Sequence, residues 1–120
     1  MVQTIKIDDV EYVRADAVQE KAVSLGGLEY VIVRTYSAGV FAGYLQDKDG
    51  KEVTLLKARR LWYWSGACSL SQLAMEGVKT PANCKFPIEM DRITLTEAIE
   101  IITATKKSQD SIAGVPIWTQ

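Results

Sequence analysis

Between Leu28 and Trp64 the chain reads LEYVIVRTYSAGVFAGYLQDKDGKEVTLLKARRLWYW. This stretch limits the fold more than any other. Its runs of β-branched and aromatic residues are separated only by Ser37-Ala38-Gly39 and Asp47-Lys48-Asp49-Gly50. Connectors of that length and composition are hairpin turns. The pattern predicts an antiparallel meander of LEYVIVRT, VFAGYL and KEVTLLKARRLWYW, with the third strand running to Trp64. Gly43 inside the second strand marks a bulge, or a place where another group approaches the backbone.

The flanks add shorter elements. TIKIDDVEYV reads as a hairpin turning at Asp8-Asp9, and ADAVQEKAV as a helical turn or two capped by Asp16. Ser24-Leu25-Gly26-Gly27 breaks that pattern. After the meander, CSLSQLAMEG has Leu70, Leu73 and Ala74 at helical spacing, with Ser69 or Ser65 as N-cap and Gly77 as the stop. VKTPANCKFP is a loop fixed by Pro81 and Pro87. RITLTEAIEII carries a capping-box pair, Thr94 and Glu97, but Ile93, Leu95, Ile99 and Ile101 share one parity and the β-branched content favours a strand. TKKSQDSIAG is a short helix capped by Thr105 and closed by Gly114, and VPIWTQ is an extended tail. The fold class is α+β, an antiparallel β-meander with two or three short helices packed at one side. Residues 1–27 form an N-terminal hairpin and short helix, and 28–120 the sheet with its C-terminal helices, in one compact domain overall.

Composition removes several functions. The formal net charge is −1, so binding of long nucleic acid through bulk charge is not expected. The chain has no histidine, the commonest general base and metal ligand. Cys68 and Cys84 make neither a CxxC pair nor a zinc spacing and read as reduced thiols. No charged-then-apolar leader opens the sequence, and no apolar run approaches the ~20 residues of a membrane span. Glu97 and Glu100 face opposite ways on a strand and make no acid–base dyad. No phosphate-loop or dinucleotide signature is present. No catalytic residue, metal or cofactor is expected.

Three consecutive aromatics follow two arginines in RRLWYW, although aromatics make up only 8% of the chain. On a strand, Arg60, Trp62 and Trp64 share one face, and Arg59, Leu61 and Tyr63 the other. A cation beside two indoles suits stacking of a purine and pairing of a phosphate through Arg59 or Arg60. Gly66, leading into a helix that opens near Ser69, offers backbone N–H groups for an anion. Arg34, Tyr36 and Ser37 at the first hairpin form a second polar anchor. The plainer alternatives are a buried core or oligomer seam for the tryptophans and a solvated surface for the arginines.

RTYSAGVFAGYL, GKEV, ARRLWYWSGACSLSQLAMEGVK, CKFP and LTEAIEII resemble the anti-Thoeris sponge family of the first-described type, a group of small phage and prophage proteins. The resemblance covers roughly Tyr30 to Trp118, and RRLWYWSGA with SLSQLA is its most specific part. Residues 1–27 match least. The resemblance implies a non-catalytic protein in the cytoplasm of an infected bacterial host. It would bind and sequester glycocyclic ADP-ribose isomers made by TIR-domain defence enzymes, and in some members cyclic oligonucleotides at a separate site. It also implies a homo-oligomer, dimeric or hexamer-like, with ligand pockets near subunit contacts. A phage structural or interaction module whose aromatic run is an oligomer seam is the alternative reading, and a nucleic-acid binder a weaker one.

Overall fold

The computed structural model describes residues 20–119. The expected hairpin at the N-terminus lies outside the described residues. Of the expected first helix, Glu20–Val23 are described and are not helical, and Lys21 bridges to Thr105 instead.

The meander forms as its turns dictate. Strand β1 is Tyr30–Thr35, β2 is Val40–Asp49 and β3 is Glu52–Arg60. The first turn is clamped by Thr35, whose hydroxyl donates to Gly39 O at 2.7 Å and accepts from Ala38 N. The second turn is tighter than DKDG suggested: β2 runs through Asp49, and Gly50, with φ +61°, makes the reversal with Lys51.

RITLTEAIEII is not one strand. It breaks at Thr96-Glu97 into β4, Met90–Leu95, and β5, Ala98–Thr103. β4 pairs with β3 and β5 pairs with β1, so the order across the sheet is β4-β3-β2-β1-β5. This closes the fold. In a flat five-stranded sheet the two edges lie about 19 Å apart. Leu95 and Ala98, with two residues between them, reach at most about 11 Å. The sheet must therefore roll until its edges approach each other. Ala98 N donates to Lys51 O at the β2–β3 turn, and Tyr36 N donates to Glu97 O. A shared parity of apolar residues reads the same whether a strand stays in one place or changes partners. That is why the pattern did not reveal the break.

Rolling separates two cores. Val31, Val33, Phe41, Val53, Leu55, Ala58 and Leu95 fill the inside of the roll. Tyr30, Ile32 and Ala42 on the outer face are covered by α1, Leu70–Glu76, and α2, Lys106–Gly114. Both helices start as their sequences indicate: Ser69 Oγ accepts from Gln72 N, and Thr105 Oγ1 accepts from Ser108 N. They are tied together by Ser108 Oγ donating to Leu73 O at 2.6 Å and Thr105 Oγ1 donating to Met75 O at 2.7 Å. A short 3-10 turn, Pro81–Asn83, lies in the loop before β4. Among the described residues no helix is long and apolar enough to cross a membrane.

Gly43 sits at a bulge. The register skips from Ala42↔Arg59 to Tyr44↔Leu56, so Lys57 and Ala58 together face Gly43. A Cβ on Gly43 would stand 3.1 Å from Ala58 Cα and from Leu56 O. Lys57 adopts φ +51°, the one non-glycine residue with positive φ among those described.

Candidate functional site

The strand expected to carry RRLWYW stops at Arg60. Arg60, Trp62 and Trp64 therefore share no face. The Arg60 guanidinium lies 4.7 Å over the Phe41 ring, at the end of the inner core, with its Nε buried and without a hydrogen-bond partner among the described residues. Trp62 projects into solvent, 64% exposed. Trp64 turns the other way and packs half-buried against the outer core. Leu61 N bonds Val40 O, and Tyr63 bridges Lys85 in both directions. These bonds lead the backbone away from β4, which pairs with β3 only as far as Ala58↔Met90. Alternation fails here because the ladder that enforces it has ended.

Arg59 is not a surface cation. It is 7% exposed on the outer face, and its guanidinium donates to four carbonyls. Nε bonds Pro87 O, Nη1 bonds Ile112 O at 2.7 Å, and Nη2 bonds both Phe86 O and Pro116 O. It also lies 5.5 Å from the Phe86 ring centre. Burial pushes its pKa down, against the raising influence of Tyr30 and Glu89. The sequence marked Arg59 as an anion-pairing group; the structure uses it to clasp the loop before β4, the end of α2 and the tail.

The other expected anchors are engaged locally. Arg34 Nε donates to Glu100 at 3.0 Å and Ser37 Oγ donates to Glu97, so a carboxylate already faces each. Tyr36 is 77% exposed. Gly66, φ +92°, meets the 79–80 backbone: a Cβ there would lie 2.5 Å from Lys79 N. Ser69 Oγ is occupied as the N-cap, and Cys68 N bonds Gln72 Oε1. The glycine serves a close backbone approach, and two of the amides around this helix start, those of Cys68 and Gln72, are taken by side chains of the same turn. Both cysteines are unpaired, Cys68 exposed and Cys84 buried. Among the described residues no group of His, Cys, Asp and Glu could hold a metal ion.

Two surfaces remain with binding chemistry. One is an open aromatic platform. Trp62 and Tyr63 are exposed, and Lys85 Nζ lies 5.9 Å from the Tyr63 ring and 5.6 Å from that of Trp118. Leu61 bonding to Val40 brings this platform to the β1–β2 turn that carries Tyr36.

The other is a cleft of about 320 Å³ between the outer sheet face and α2. Tyr30, Tyr44, Lys57, Arg59, Glu89 and Gln109 supply its polar groups, and Ile112, Val115 and Ile117 are among its apolar ones. The two tyrosine rings meet edge-on at 5.1 Å. Gln109 Nε2 donates to Tyr44 OH and Val23 O, and Oε1 accepts from Val23 N. Burial raises the Tyr30 pKa well above the ordinary phenol value, with Tyr44 and Glu89 adding to the rise. No local motif marks this cleft. Only Arg59 among its residues stood out in the sequence, and for another reason.

A family model described as a domain of unknown function (DUF6948) matches residues 28–112. That is most of the chain, and the chain belongs to this family. No curated protein and no solved structure matches it.

Proposed function

We propose that this DUF6948 chain is a non-catalytic sponge for a cyclic adenine nucleotide signal, of the kind that the likeness to anti-Thoeris proteins implies, working in the cytoplasm of an infected bacterium. One observation carries the reading: Trp62 and Tyr63 stand open to solvent, with Lys85 Nζ 5.9 Å from the Tyr63 ring and Tyr36 on the adjoining turn. Left open, these rings suit stacking of a purine, at about 1–3 kcal/mol per base, with the Lys85 ammonium nearby for phosphate. The chain has no histidine, the commonest general base, which favours holding a ligand over converting it. An open surface covers only one side of a nucleotide, whereas tight sites bury most of the ligand surface. A second copy of the chain, in a dimer or larger ring, would close the site.

The test is a thermal-shift screen against cyclic ADP-ribose isomers and cyclic di- and trinucleotides, with the molar mass in solution measured alongside. A ligand present at 100 times its Kd stabilises the fold by about 2.7 kcal/mol. It should also return chemically intact from heat-denatured protein. Recovery of a hydrolysed product refutes sequestration, and no shift with any nucleotide refutes the nucleotide reading. The same exposed aromatics also favour a second reading, an interaction module whose aromatic surface is a subunit seam. On that reading Trp62→Ala dissociates the oligomer and no nucleotide stabilises it.

A further inference from the structure

The cleft against α2 is separate from the aromatic platform, and the geometry points to a second ligand site there, for a small planar monoanion of the aryl carboxylate class. The inference does not depend on the sponge reading.

Lys57 carries it. Val53 and Leu55 point into the inner core, and simple alternation would send Lys57 after them. The bulge opposite Gly43 adds one residue, turns Ala58 inward and leaves Lys57 lining the outer cleft with Arg59. The turn requires φ +51° at a lysine, a conformation disfavoured for any residue with a Cβ. Residues held in such backbone geometry cluster where a side chain must be aimed.

The other groups define what the ammonium would meet. Four of the five Arg59 N–H donors are taken by carbonyls, so it contributes a fixed positive field more than a contact. Lys57, Arg59 and Glu89 leave the cleft one positive charge, complementary to a single negative charge on the ligand. A cyclic oligonucleotide, with one charge per phosphate, does not match. The Tyr30 and Tyr44 rings with Ile112 and Val115 provide apolar walls for a flat body, and about 320 Å³ accommodates one of two fused rings.

The probe is 1-naphthoate, compared with its neutral isostere 1-naphthalenemethanol, titrated into the full chain and followed by calorimetry and amide NMR shifts. Naphthoate should shift amides around Lys57, Tyr44 and Gln109. Lys57→Gly, which accommodates the left-handed backbone, should weaken naphthoate at least about tenfold, as loss of a charge-assisted hydrogen bond does. It should change the alcohol by less than about twofold. Lys57→Arg should retain the acid, and Trp62→Ala should leave it unaffected. The inference is overturned by no binding of naphthoate at about 10 mM, by unchanged acid binding in Lys57→Gly, by equal loss of acid and alcohol, or by shifts centred on Trp62–Trp64.

Discussion

Replacing Arg59 by methionine tests how the two halves of the fold are joined. The side chain reaches from β3 to carbonyls at Phe86, Pro87, Ile112 and Pro116, at 3.0, 3.0, 2.7 and 3.2 Å. Two of these oxygens have another donor: Ile112 O accepts from Val115 N, and Phe86 O from Trp118 N. Pro87 O and Pro116 O have no other donor among the described residues, and these two would be stranded. A stranded, partly buried carbonyl costs about 1–3 kcal/mol, so the pair costs about 2–6 kcal/mol. Methionine relieves the desolvation of a buried charge and restores some apolar packing, which offsets about 1–2 kcal/mol. The expected net loss is about 3 kcal/mol, a large part of the 5–15 kcal/mol that holds a typical domain. Lysine keeps the charge, but one ammonium cannot span four oxygens, so Arg59→Lys should lose about half as much. Urea unfolding followed by tryptophan fluorescence measures both, with a midpoint shift at constant slope. A methionine variant within about 1 kcal/mol of wild type would show that water satisfies these carbonyls and that the guanidinium is no clasp.

Three further outcomes follow from single contacts. Gly66→Ala should destabilise by about 2–4 kcal/mol in the same assay, because its Cβ meets the Lys79 and Thr80 amides at 2.5 and 2.8 Å and its φ is +92°. Tyr30→Phe should leave stability nearly unchanged at pH 7 but flatten its alkaline decline. Burial raises the folded-state pKa above that of the unfolded chain, so the native state keeps its proton longer and the unfolded state gains as pH rises past about 10. If wild type and variant lose stability in parallel between pH 9 and 11, the phenol is not the cause. Trp62→Ala should alter folding stability by less than about 1 kcal/mol, since the ring is mostly exposed. It should cost about 1–3 kcal/mol of nucleotide affinity, read by calorimetry.

The sequence determined whatever depends on neighbours along the chain. Turn residues and alternating runs set β1, β2 and most of β3. Ser69, Gly77 and Thr105 set the helix ends, and Gly43 announced the bulge. These features involve a few consecutive residues whose backbone preferences are local. Alternation also placed Arg59 and Arg60 on opposite faces, but it says nothing about what covers a face. Carbonyls from residues 86 to 116 made Arg59 internal, and the end of the β3 ladder left Trp62 in water and Trp64 against the core. The break at Thr96-Glu97 follows from closing a rolled sheet, a condition on five strands at once. The cleft brings Tyr30, Lys57 and Ile117 together from distant parts of the chain, and only long-range packing creates such a neighbourhood.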